Sequence, residues 1–209
     1  MELSVFGQRL LIDPGTPTYS AGLLRDFSRS AAVHNGPAFV GLEPIDFWDS
    51  FRVGRRGYAW PLPLGILGKF APLGALAIQD GYAPWNGKVV RWLSFWPDIG
   101  LLVTDYWSAP EDLDASLSWL IDPSWKYANG HLSYGEKTVE LKVLSGRLGD
   151  PVAAACWQRF GKEQVTVSVP VKPEAMGRRR VAAVWFGWGA IVRCRPSISN
   201  RLRNSSVLW

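Results

Sequence analysis

The sequence predicts an all-β protein, an antiparallel β-sandwich of about twelve short strands. Three observations carry that prediction. Apolar runs recur about every ten residues with turn residues between them, the rhythm of a sandwich. Gly 21 and Pro 15 punctuate the 209 residues too closely for long helices. Val139, Leu141 and Val143 alternate with Glu140 and Lys142, the two-residue period of a strand with one face buried.

Taken in order, Leu3, Val5 and residues 9–12 form either a hairpin around Phe6-Gly7 or one strand bulged at Gly7. The run Leu10-Leu11-Ile12 stops at Asp13-Pro14-Gly15, where proline fixes φ and glycine permits a positive φ. A polar loop carrying Tyr19, Arg25, Asp26 and Arg29 leads to His34-Asn35-Gly36-Pro37 and a strand over residues 38–42. Glu43-Pro44 is a turn. Residues 47–58 set Phe51 and Val53 against Arg52 and Gly54 and predict a half-buried strand. Pro61, Pro63, Gly65 and Gly68 mark a long apolar loop lying across a sheet face. Residues 75–82, 88–95 and 101–107 are successive strands, joined by Pro84-Trp85-Asn86-Gly87 and Pro97-Asp98-Ile99-Gly100. Residues 116–121, 130–133, 138–143, 152–157 and 165–171 continue the pattern, and residues 182–192 are the last apolar run. Residues 1–192 are expected to form one domain, and residues 193–209 a basic, aperiodic tail that frays.

Composition narrows the class. With 47% hydrophobic residues, 20% charged and Trp 12, the chain is globular rather than disordered, and long enough to bury a substantial core. Most tryptophans are expected in that core, although Trp48, Trp60, Trp85, Trp92 and Trp96 could offer faces to sugar rings. The net charge of +5 favours anionic partners without choosing among polysaccharide, nucleic acid and membrane surface. No nucleic-acid motif surrounds Arg178-Arg179-Arg180, which reads as an exposed turn, so nucleic acid is not expected as a partner. Cys156 and Cys194 lack a framework of paired spacings and are expected to be buried free thiols. The first residues have no basic region followed by an apolar core, so no signal peptide is expected. Lys69 and Pro72 break the apolar stretch 62–78, so no membrane span is expected either. Expressed as written, the chain would stay in the cytoplasm.

The order "apolar strand, Asp13-Pro14-Gly15-Thr16, Tyr19, a basic loop, Arg29-Ser30-x-Ala32-x-His34-Asn35, strand" resembles the start of the C-terminal β-sandwich domain of the heparinase II/III-like polysaccharide lyases. Residues 47–56 and Asp80-Gly81-Tyr82 fall where that family has similar segments, and the likeness covers residues 3 to 125. It implies a supersandwich-like fold and a chain cut from a longer protein, with an N-terminal helical domain missing. It also implies a lyase acting on acidic, uronate-containing polysaccharide by β-elimination, in a parent enzyme that is periplasmic or extracellular. A fragment without the helical domain is expected to be inactive and, with a sheet edge uncovered, to self-associate.

The chemistry of such an elimination needs a base, an acid and a means of neutralising the uronate carboxylate. The resemblance points to His34 and Asn35 as catalytic residues at the domain boundary, with Tyr19 as a supporting candidate. The plain alternative for His34 is a hydrogen-bonded structural histidine at a strand entrance. Arg52, Arg55, Arg56 and Arg91 could bind acidic sugar as a basic strip, or could simply line a solvated strand face. Several members of the family hold a metal through two histidines and an aspartate. Here Val89-Val90-Arg91-Trp92 occupies the region where a second histidine often appears, His131 lies in a turn, and Asp46 and Asp49 make a poor zinc set with one histidine. No metal and no cofactor are expected. No nucleophile elbow, phosphate loop or paired-cysteine motif offers a rival chemistry. The alternative function is a non-catalytic carbohydrate-binding or interaction module.

Overall fold

A computed structural model describes residues 1–62, 73–108 and 113–189. The protein is all-β, 56% strand and 7% helix, and every strand pairing is antiparallel. Sixteen strands lie among the described residues: β1 Leu3–Val5, β2 Gln8–Leu11, β3 Pro37–Phe39, β4 Ala59–Pro61, β5 Leu73–Gln79, β6 Lys88–Trp96, β7 Gly100–Ser108, β8 Ala115–Leu120, β9 Lys126–Ala128, β10 His131–Tyr134, β11 Lys137–Ser145, β12 Arg147–Leu148, β13 Val152–Arg159, β14 Lys162–Lys172, β15 Glu174–Met176 and β16 Arg179–Gly187. One helix, α1 Leu23–Arg29, precedes a 3-10 turn at Ala31–Val33.

Two sheets face each other. The larger runs β4-β5-β6-β7-β16-β11-β10-β9, with β15 also on β16. The smaller runs β12-β14-β8-β3, with β13 on β14, and the β1-β2 hairpin extends it through a Leu11–Ile121 bridge. Between them lies the core, where Leu101, Val103 and Trp107 of β7, Val139 and Leu141 of β11, and Val184 and Phe186 of β16 meet Leu117 and Trp119 of β8 and Val169 and Val171 of β14. Trp119 and Phe186 meet edge to face across the gap, with ring centroids 5.2 Å apart. These positions follow the two-residue period, so one face of each strand is read directly from the alternation.

One inward position breaks the apolar rule. Arg91 on β6 stands directly opposite Asp105 on β7. Its Nε and Nη2 donate to the two carboxylate oxygens at 2.7 and 2.9 Å, and Asp105 is fully buried. The third donor, Nη1, crosses to the other sheet and reaches the Asn35 carbonyl at 2.7 Å, while the guanidinium lies over the Trp119 ring. Arg91 is therefore a strut between the layers rather than part of a solvent-facing basic strip.

Of the other expectations, some hold and some need correction. The β1-β2 connection is a hairpin, because Phe6 and Gly7 both adopt positive φ (56° and 75°), as the primed two-residue turns require. Residues 47–58 do not form a strand. Asp49 Oδ1 accepts from the backbone N–H of Phe51 and Arg52, which folds the segment on itself and leaves a lone Phe47–Val53 bridge. The loop over Tyr19 to Ser30 contains the short helix α1. Arg178 lies in the exposed turn between β15 and β16 as expected, whereas Arg179 and Arg180 open β16 and Arg180 is 8% exposed. Cys156 is buried and free. Cys194, the tail from residue 193 and the loop positions Pro63, Gly65 and Gly68 lie outside the described residues, as does residue 190 onward.

The strut yields a stability prediction. Asp105→Ala, which leaves Arg91 charged and unpaired between the sheets, is expected to cost about 3–5 kcal/mol in urea unfolding. Arg52→Ala, which touches only an exposed pair with Asp49, is expected to cost less than about 0.5 kcal/mol.

Candidate functional site

The string Arg29-Ser30-Ala31-Ala32-Val33-His34-Asn35 folds by local chemistry. Ser30 caps the 3-10 turn by accepting from the Ala32 N–H. Glu43, from the turn after β3, accepts from the Ser30 hydroxyl at 2.5 Å and from the Ala31 N–H at 2.8 Å. Arg29 lies over the Phe47 ring at 4.4 Å and donates to the Asp49 carbonyl. The turn closes with the His34 N–H donating to the Ala31 carbonyl, and the chain leaves it extended into β3.

Asn35 fixes the far end. It is 5% exposed, and its side-chain amide donates to the carbonyls of Met1 and Ile12 at 2.9 and 2.8 Å, while its Oδ1 accepts from the Leu120 N–H at 2.7 Å. With its own carbonyl held by Arg91, Asn35 pins the loop to β2, β6 and β8 together. Both polar ends of its side chain are already engaged within the chain, so it seats the neighbouring residue.

That neighbour is half-exposed. His34 Nδ1 lies 2.7 Å from Asp13 Oδ2. A neutral imidazole that donates from Nδ1 carries its lone pair on Nε2, the nitrogen with no partner among the described residues. Asp13 sits just past β2 and is itself fixed: its Oδ1 accepts from the Gly15 N–H at 3.0 Å, and its carbonyl accepts from Gln158 Nε2 at 2.6 Å. The His34 hydrogen bond holds the Asp13 carboxyl below its usual range, with the Gly15 N–H helping against partial burial. Gly15 is required here, because at φ +81° an added Cβ would stand 2.2 Å from the Trp157 carbonyl oxygen. Asp13 escaped the sequence reading as a functional residue; an Asp-Pro-Gly turn explains itself, and nothing in the spacing shows that it meets a histidine 21 positions on.

The remaining candidates separate. Tyr19 is exposed and stacks on Phe160 at 4.9 Å, with no recorded contact to His34. Arg55 is engaged by the carbonyls of Pro44 and Gly81, by Asp46 and by the Trp85 ring. Arg52 and Arg56 are exposed. The four arginines thus divide into two that bind the fold and two that reach solvent, and form no continuous strip. His131 opens β10, exposed, beside the Asn129 carbonyl. Among the described residues no three His, Cys, Asp or Glu side chains gather into a group that could hold a metal, and no helix is long and apolar enough to cross a membrane.

The seating of His34 is open to measurement. Asn35→Ala strands the buried Leu120 N–H and the Ile12 carbonyl and is expected to cost about 2–4 kcal/mol in chemical denaturation. Gly15→Ala is expected to destabilise as well, through its clash with the Trp157 backbone.

Comparison with known proteins places this arrangement. No curated protein matches the chain. Its structure is similar to a heparinase III gene product with methylated lysines (TM-score 0.67, 13% identity, 90% of this chain and 29% of that one). It is also similar to a heparinase III (TM-score 0.65, 15% identity, 90% and 29%) and to a mutant heparan sulfate lyase from Pedobacter heparinus (TM-score 0.63, 14% identity, 90% and 30%). At such identities the likeness establishes the fold, and the chain spans under a third of each of these proteins. The family model for the heparinase II/III-like C-terminal domain matches residues 1–180, and the chain belongs to that family.

Proposed function

We propose that this chain forms one wall of the active site of a lyase that cleaves uronate-containing polysaccharide by β-elimination, with His34 as its proton-transfer group. The observation that carries the proposal is the Asp13–His34 pair: a half-exposed imidazole whose Nδ1 is tied to a carboxylate at 2.7 Å, on a loop pinned by buried hydrogen bonds. Membership of the family supplies the reaction class.

In that reaction the proton α to the sugar carboxylate leaves to a base. Its electron pair forms the new carbon–carbon double bond, and the glycosidic carbon–oxygen bond breaks, its oxygen taking up a proton. Nε2 of His34 is placed to accept or return a proton, and Asp13 holds the ring's orientation and stabilises the imidazolium that forms. Asn35 acts through position alone. Arg56, and Arg52 beside its exposed pair with Asp49, reach solvent and can meet acidic groups of the chain being cleaved. Neutralising the reacting carboxylate and completing the acid–base set fall to the larger share of the protein that this chain lacks relative to its structural neighbours, so the 209 residues alone are inactive. A parent enzyme with this substrate works in the periplasm or outside the cell.

The test is formation of unsaturated uronate, read by ultraviolet absorbance, on heparan sulfate, hyaluronan and alginate. No product is expected from the isolated chain. In the full-length protein His34→Ala is expected to lower kcat by a factor of about 10³, and undiminished turnover in that variant would reject the assignment. Asp13→Asn is expected to lower kcat about tenfold with KM unchanged. It also has a stability signature. Because the folded carboxyl is held below its unfolded value, its contribution is present above the ordinary carboxylate pKa of about 4 and is lost as pH falls through the folded one. The stability difference between the wild type and Asp13→Asn should therefore be full at neutral pH and shrink in acid.

A further inference from the structure

The β13-β14 hairpin meets the Asp13 loop at several points. The Trp157 N–H donates to the Pro14 carbonyl at 2.6 Å, Gln158 donates to the Asp13 carbonyl, and Phe160 stacks on Tyr19 with the rings 24° from parallel. Phe160 stands in the two-residue loop Phe160-Gly161, where Gly161 at φ +67° turns the chain and leaves the ring pointing out, 58% exposed. Tyr19 is 69% exposed and Phe51 52%. Arg25 links two of them, its guanidinium 5.9 Å from the centre of the Tyr19 ring and 5.7 Å from that of Phe51, and Phe160 joins through its stack on Tyr19. Among the described residues Arg25 has no carboxylate partner, and its Nε is buried without a hydrogen bond. Asp26, next in the chain, accepts from the Ser50 hydroxyl, and Asp49 is taken by Arg52 and backbone N–H groups.

Three exposed aromatic rings, two of them beside a guanidinium with no carboxylate partner among the described residues, are costly unless something covers them. The chemistry that fits is a ring with apolar C–H edges and an attached anionic group, since aromatics take the first and the planar fork of arginine takes the second. Resting on the lyase reading for the identity of the polymer, we propose that Tyr19, Arg25, Phe51 and Phe160 form a subsite for one acidic sugar residue, on the same loop surface as the Asp13–His34 pair. Arg159 and Lys162, both exposed at the hairpin tip, add positive charge around it.

Binding of heparan sulfate oligosaccharide to the 209-residue chain, followed by calorimetry, tests this directly. Arg25→Gln is expected to weaken binding about tenfold. Phe160→Ala is expected to weaken it severalfold, and Phe160→Tyr to retain it, while Arg147→Gln on the distant β12 changes nothing. The subsite is overturned if wild type does not bind, if Phe160→Ala binds as well as wild type, or if inorganic polyphosphate binds as tightly as the glycan. Turnover with KM unmoved by Arg25→Gln and Phe160→Ala would reject the subsite and leave the lyase standing. Ring-dependent binding with no product from the full-length protein would do the reverse.

Discussion

A single guanidinium, that of Arg91, holds the two sheets and the histidine loop in one frame. Buried ion pairs offset their desolvation only when geometry is good and the leftover donors are satisfied. Both conditions hold here, because the two carboxylate oxygens of Asp105 take two donors and the Asn35 carbonyl takes the third direction. The flat face of the same group covers Trp119, so a charged side chain can lie between apolar layers without leaving a gap. Replacing it by a leucine would suit the core but would cut the link to the loop.

That link explains why the site can be well ordered although it stands on irregular chain. Asp13 follows β2, which is tied to β8 by the backbone hydrogen bonds of Ile12 and Asp122. His34 follows a turn anchored by Glu43 and is followed by Asn35, which bonds the same pair of elements. The two side chains are therefore brought together by backbone that each shares with the sheet, and their separation does not rely on a side-chain search. Functional groups on loops usually give up precision for access. Here the buried amide restores it.

The layered β architecture was readable because its cause is local: period-two alternation and turn residues act within a few positions. The turn at Phe6-Gly7 was readable as one of two alternatives, and its two positive φ values decide for the hairpin. The segment 47–58 misled because its alternation was accidental, and an Asx-type contact from Asp49 competed successfully with strand pairing. Helix α1 was hidden by composition, since its apolar residues Leu23, Leu24 and Phe27 face water and draw no buried stripe. At the site, His34 was visible through its motif. Its partner Asp13, the inward turn of Arg91, and Phe160 beside Tyr19 depend on pairings between distant strands. Nothing in a linear string registers which residues a sheet will bring side by side.

The contact between Gln158 and the Asp13 carbonyl spans 145 positions, and the parallel bridge from Gly15 to Trp157 spans nearly as many. Closing so large a loop is entropically slow. Residues 13–15 must therefore wait for a hairpin far along the chain before their turn acquires its final shape. During that interval the imidazole and its carboxylate have a sandwich partly assembled beneath them but no completed rim. Chemical competence of this surface is consequently a late event in the maturation of the chain, and a break near residue 160 would unsettle the Asp13 turn as much as the hairpin itself.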